Sequence, residues 1–244
     1  AVKVNSTLMQ QGRISIRIRL PYPAGTWGDV GNNWTNGNAH QSVITEKQNN
    51  TATIKHVLDT TTYFIQSHWT GGAAFKEKQA HYFLLTPTGT DNFEYSCSFA
   101  QQPEKTTAPT FTATKESSAK GWLAFWNSGA AIDFAGSADP RAHELERRIV
   151  LSQYITRIQC ANDFPPQETG LTYNSWYGKP HLEMHWWHGI HFALWGRPQL
   201  LEKSVDWYFK VANVAKGIAK RQGYEGIRWQ KMTDNKGREV PSSI

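Results

Sequence analysis

The stretch HLEMHWWHGIHFALW, residues 181–195, holds four histidines, three tryptophans and one carboxylate, with no lysine or arginine. At 100° per residue His181, His185, His188 and Phe192 fall on one helical face. Glu183, Trp186, Trp187, Ile190 and Leu194 fall on the other. Neither face carries a charged stripe, so the expectation is a helix enclosed by protein on all sides. The segment that follows differs. From Pro198 to about Gln222, the residues Glu202, Asp206, Lys210, Asn213, Gly217 and Lys220 recur every three or four positions and form one wet face. Leu201, Val205, Tyr208, Ala212, Ala215 and Ala219 lie opposite. An enclosed helix, a turn at Gly196 and a half-wetted helix make the repeating unit of a helical-hairpin barrel.

Upstream, SADPRAHELERRIVLSQYITRIQC (137–160) predicts a helix of roughly 20 residues, with Asp139 as N-cap and Pro140 at the first helical position. Before about Gly136 the pattern is β. In RISIRIRL, Ile14, Ile16, Ile18 and Leu20 alternate with Arg13, Ser15, Arg17 and Arg19, as in a half-buried antiparallel strand. FEYSCSF repeats the alternation, with Phe93, Tyr95, Cys97 and Phe99 inward. Residues 61–69, 80–87, 110–115 and 122–126 are read as further strands, separated by Gly, Asn, Pro and Thr clusters. The expected fold is β + α with two domains. Residues 1–136 form an antiparallel β-sandwich, and 137–244 form a linker helix and the start of a helical-hairpin barrel. The glycine-rich segment 21–40 reads as a long loop.

Composition narrows function. The 244 residues include 11 tryptophans, and only 19% are charged, below the roughly 25% usual for soluble proteins. Flat rings in this number suit the apolar faces of sugars as well as a large core. The net charge of +6 is spread along the chain, which argues against a nucleic-acid partner. No run reaches the ~18 apolar residues of a membrane span. The two cysteines, Cys97 and Cys160, are too few for a disulfide framework or a cysteine-based zinc site. His181, His185 and His188 have the spacing to meet one ion, but no HExxH pattern accompanies them. We expect no metal and no cofactor. Glu183 lies beside Trp186 and Trp187, and a carboxylate among indoles must be paired, protonated or facing a cavity. Lys179 and Lys231 are the candidate partners. TYNSWYGK brings Tyr173, Asn174, Trp176, Tyr177 and Lys179 to the same helix end. Rings interleaved with amides suit a polyol.

Four segments carry a resemblance: RAHELERRIVLSQY, PPQETGLTYNSWYGKPHLEMHWWHGIHFALWGRP, RQGYEGIRWQKMTDNKGRE and FWNSGAAIDF. They resemble a largely uncharacterised bacterial family of six-hairpin, (α/α)6-barrel glycoside hydrolases with an N-terminal β-sandwich. The likeness is strong over about 120–240 and looser in the β half. It implies a glycoside hydrolase, or the N-terminal part of one, acting on an oligo- or polysaccharide. The resemblance places His181, Glu183, His185 and Trp186 in a sugar subsite. Arg228, Trp229 and Lys231 would line the pocket from a later loop, and Asp133 would reach it from the linker. Most relatives invert configuration, which implies two carboxyl groups about 6.5–9.5 Å apart. Glu183 is the one catalytic candidate within the chain. Three helices are not twelve, and the missing portion would need on the order of 200–300 residues. The chain is therefore expected to be an N-terminal fragment whose general acid lies elsewhere, inactive alone, and prone to self-association or to pairing with the rest of the barrel. The alternative is a non-catalytic carbohydrate-binding module using Trp27 and Trp34. The residues leave the compartment open; a periplasmic or secreted location is the working expectation.

Overall fold

The computed structural model describes residues 1–23, 31–106, 108–169 and 176–240. The chain divides into two compact units, one of residues 1–24 and 31–122, the other of 25–30 and 123–244.

Among its described residues the first unit holds eight strands: β1 (Val2–Asn5), β2 (Ile16–Arg19), β3 (His40–Lys47), β4 (Thr51–Leu58), β5 (Thr61–Trp69), β6 (Ala73–Gln79), β7 (Tyr82–Pro87) and β8 (Asn92–Ala100). They form a five-stranded sheet in the order β1-β8-β5-β4-β3 and a three-stranded sheet in the order β2-β7-β6. Every pairing is antiparallel. Side chains from both sheets meet in one core, a sandwich-like arrangement. Ile54, Ile65, Trp69, Phe93 and Tyr95 come from the larger sheet, and Phe75, Phe83 and Leu85 from the smaller. Each such fully buried side chain contributes roughly 1.5–3 kcal/mol. The alternation from Ile14 to Leu20 is as expected, with the arginines outward. Phe99 departs from it and is 65% exposed, although its register partner Ile65 is buried. The smaller sheet is too narrow to cover that end of β8.

Two of the hairpins are tight. β4 and β5 join through Asp59 and Thr60, and β6 and β7 through Ala80 and His81. Asp59 and His81 adopt positive φ, 51° and 60°, within these tight turns.

The expected strands at 110–115 and 122–126 are instead one helix, α1 (Phe111–Asn127). Thr110 starts it: its hydroxyl oxygen accepts the Ala113 N–H at 3.2 Å. Seventeen residues without proline, including Lys, Glu and Ala, outweigh the local β-branched and aromatic bias.

The second unit is helical: α2 (Ala142–Cys160), a π-helical turn (His185–Gly189) continuing into α3 (Ile190–Leu194), α4 (Pro198–Lys210) and α5 (Ala212–Arg221). α2 begins two residues later than its sequence signal. Asp139 holds a turn at Pro140–Arg141, its carboxylate accepting the Arg141 N–H at 2.8 Å. The single helix expected from 198 to 222 breaks at Val211. There the loop 234–237 packs in. Trp207 Nε1 donates to Asn235 O at 2.8 Å, and a Cβ on Gly237 would stand 2.7 Å from that of Val211. The expected wet face of Glu202, Asp206, Lys210, Asn213, Gly217 and Lys220 is exposed, opposite buried Trp207, Ala215, Ile218 and Ala219.

The turn before α4 is pinned by a buried cation. Arg197 is 1% exposed and donates to Phe125 O and Gln153 Oε1, both at 2.9 Å, and to Ala130 O at 3.3 Å. Its guanidinium lies 4.1 Å from the Phe125 ring centroid. Gly196, at φ +75°, lets the chain reverse there. Among the described residues no helix is long and apolar enough to cross a membrane. Cys97 and Cys160 are free.

Candidate functional site

The segment 181–195 does not run as one ideal helix. Its first residues form a turn, in which the Glu183 carbonyl accepts the N–H groups of both Trp186 (3.0 Å) and Trp187 (3.2 Å). The π-helical turn then inserts extra chain before α3. Gly189 lets Leu201 of α4 pack closely against this turn; an added Cβ would lie 3.1 Å from Leu201 Cδ1.

The consequence corrects the expected enclosure. His181, Met184, Gly189 and Phe192 are buried, whereas Trp186 and Trp187 are 69% and 61% exposed and Leu194 is open as well. α4 and α2 both pack against this element, and Trp186, Trp187 and Leu194 lie on the side left open. Glu183 is also exposed rather than sunk among indoles.

Several expected site residues do converge. Lys231 Nζ stands 3.6 Å from Glu183 Oε1 and 5.0 Å from the centroid of Trp176. Trp176 meets His181 edge-on at 5.6 Å. An isolated bridge from His181 to Met232 and the bond from Leu182 N–H to Lys231 O (3.1 Å) hold the two segments side by side. His181 donates from Nδ1 to Lys179 O at 3.1 Å, and its buried Nε2 has no partner among the described residues. The result is a half-exposed patch in which a carboxylate, an ammonium group and an indole meet, with two open indoles one helical turn away. The ion pair is solvated and worth no more than about 1 kcal/mol to stability.

The other expected residues go elsewhere. His185 turns into the helix packing: Nε2 donates to Ser204 Oγ and Nδ1 accepts from Tyr208 OH, both at 3.0 Å. The Ser204 hydroxyl donates to Leu201 O, which fixes that tautomer. Trp229 stands edge-on to Tyr208 at 5.2 Å, and Arg228 lies over Tyr224. Asp133 accepts the Ala135 N–H in a local turn. Tyr173, Asn174 and Trp27 lie outside the described residues. His188 donates to Glu168 O, so His181, His185 and His188 face three separate sets of partners. Ser204 and Tyr208, which set the state of His185, carry no local motif.

Burial pushes the His185 pKa below its ordinary value. The folded protein thus refuses a proton that the unfolded chain takes up near pH 6.5. This stabilising contribution is complete above that pH and is lost as pH falls towards the depressed folded value. Urea unfolding of the helical unit at pH 7.5 and 5.5 should show a larger acid loss for the natural protein than for His185→Gln. Equal losses would mean that His185 is protonated in the fold.

A groove of about 340 Å³ lies along α2, lined by Ile149, Gln153, Phe192, Trp195 and Arg197 among others. It contains no residue of the Glu183 patch. Compared with known proteins, the chain matches no family model and no curated sequence.

Proposed function

We propose that the helical unit is the opening portion of an (α/α)6-barrel glycoside hydrolase and supplies part of its sugar subsite. One observation carries this reading: Glu183, Lys231 and Trp176 meet at the end of the segment that exposes Trp186 and Trp187. A carboxylate and an ammonium group bind sugar hydroxyls, and open indole faces receive the apolar side of a pyranose. The order of elements also supports the reading. The π turn and α3 are followed, through Gly196, by a longer helical pair with one wet face, as inner and outer helices of a hairpin would be. The uncovered apolar side of the inner element is where the next helices of a barrel would pack. In such an enzyme Glu183 contacts substrate, and the carboxyl pair that flanks the anomeric carbon includes a group from a later segment.

Oligosaccharide titrations followed by tryptophan fluorescence test the subsite. Trp186→Ala and Trp187→Ala should each weaken glycan binding by about 10-fold while changing stability by less than ~0.5 kcal/mol, as expected for exposed positions. In the natural protein with its barrel complete, Glu183→Gln should reduce kcat/KM on the hydrolysed glycoside. Unchanged turnover would remove Glu183 from the site. Specific binding with no hydrolysis by the complete protein would instead favour a non-catalytic carbohydrate-binding role.

A further inference from the structure

We propose that His40, His56 and His81 form a site for one divalent transition-metal ion of the zinc type, at one end of the β-sandwich. One ring nitrogen of each histidine lies within 4.8 Å of those of the other two. The three come from different parts of the sandwich. His40 opens β3 and His56 sits on β4, where it faces Ser42 in register. His81 occupies the tip of the β6–β7 hairpin, from the other sheet. The side chain of His56 shares the core face with Ala52 and Ile54 and is 1% exposed.

The distance between His40 and His56 suits coordination. His40 Nδ1 and His56 Nε2 are 3.4 Å apart, long for a hydrogen bond. Two nitrogens at about 2.0–2.1 Å from a tetrahedral zinc ion stand roughly 3.3–3.4 Å from each other. The outer partners select the right tautomers. His56 Nδ1 is 2.8 Å from Ser42 Oγ, which leaves Nε2 for an ion. His81 Nε2 donates to Gly37 O at 2.8 Å, which leaves its Nδ1 lone pair. That lone pair now accepts from the Ser42 hydroxyl at 2.7 Å, so the hydroxyl must swing aside for the ion to reach it. Metal-binding histidines are commonly oriented in this way, through their second nitrogen.

The ring of His81 now stacks on that of His40 at 3.6 Å and must turn off it for both nitrogens to meet one ion in their ring planes. Burial lowers the pKa of His40 and brings that of His56 to about 4, with the neighbouring rings adding to the effect. His81 also accepts a left-handed backbone, uncommon for a residue other than glycine. Three imidazoles leave a fourth position for water or a bound ligand, the arrangement of an open rather than a closed zinc site. The proposal is independent of the sugar reading, which concerns other residues.

The test begins with chelator-dialysed protein titrated with Zn²⁺ by calorimetry and with Co²⁺ by visible absorption. We expect one equivalent per chain and the d–d bands of a four-coordinate cobalt site. His40→Ala, at a half-buried position, and His81→Asn, which tolerates the left-handed turn, should each weaken Zn²⁺ binding by on the order of 100-fold or more. Ser42→Ala should weaken it by about 10-fold. Circular dichroism checks that each variant folds, and either histidine variant suffices if the other does not. Absence of stoichiometric binding overturns the proposal. So does binding that survives in a folded histidine variant, which would assign the ion to other histidines.

Discussion

Replacing Arg197 with methionine should destabilise the helical unit by about 3–5 kcal/mol. The methionine would fill most of the volume and none of the bonding. Gln153 Oε1 and Ala130 O would lose this donor in a place that water reaches poorly, while Phe125 O would keep the Ser128 hydroxyl and N–H. Each buried acceptor left without a partner costs roughly 1–3 kcal/mol. Removing the cation also relieves its desolvation, so the sum is less than two full penalties. Among the described residues no carboxylate pairs with Arg197. Its role is therefore to tie the end of α1, the 129–130 strand of chain and α2 to the turn before α4. Lysine would keep the charge but reach fewer acceptors, and should recover less than half of the loss. Urea unfolding at pH 7 measures both. A change below about 1 kcal/mol for the methionine variant would mean that water satisfies these carbonyls and that the turn is held by packing.

The second large effect is expected at Gly129, where alanine should cost about 3 kcal/mol or more. An added Cβ would lie 2.4 Å from Trp195 O and 2.8 Å from Arg197 Cγ. The obstacle is backbone, and that same carbonyl accepts the Ala130 N–H at 2.9 Å. Moving it aside would break this bond and shift Arg197 away from its acceptors. Gly217 provides the opposite case. It lies in α5, and a Cβ there meets nothing within 4 Å. Gly217→Ala should stabilise the protein by about 0.5–1 kcal/mol, through helix propensity and a less flexible unfolded chain. Denaturant midpoints of the two variants should move in opposite directions. Arg197→Met and Gly129→Ala act on one network, so their effects should not add.

These positions show which information local sequence carries. The strand from Ile14 to Leu20 is legible because one face is buried and the other wet. β6 is not, since Lys76, Glu77 and Lys78 put charge on both faces of an edge strand. β3 is obscured in the same way, with exposed Val43 among polar residues. α1 misleads because threonines and aromatics favour strand over six residues while the whole segment favours helix. The wet face of α4 and α5 is legible, but the break at Val211 depends on a loop more than 20 residues away. In the candidate site, Lys231 is identifiable as a partner of Glu183 from chemistry and recurring motifs. The exposure of Trp186 and Trp187 is not, because apolar residues around a helix state a preference for cover without supplying it. The cluster of His40, His56 and His81 has no sequence signature at all. Cross-strand register and a hairpin tip assemble it, and neither can be read from spacing.

The borders of the two sheets carry one more consequence. β1 presents Lys3, β2 presents Arg17 and Arg19, and β6 ends in a charged run with a register shift between Glu77 and Gln79. β3 has its own irregularity between Ile44 and Glu46 and ends in Glu46 and Lys47. All four outer strands thus offer an incoming chain either like charge or a ladder out of step. A sandwich bordered in this way gives an added strand of another copy little to pair with, which works against edge-to-edge assembly.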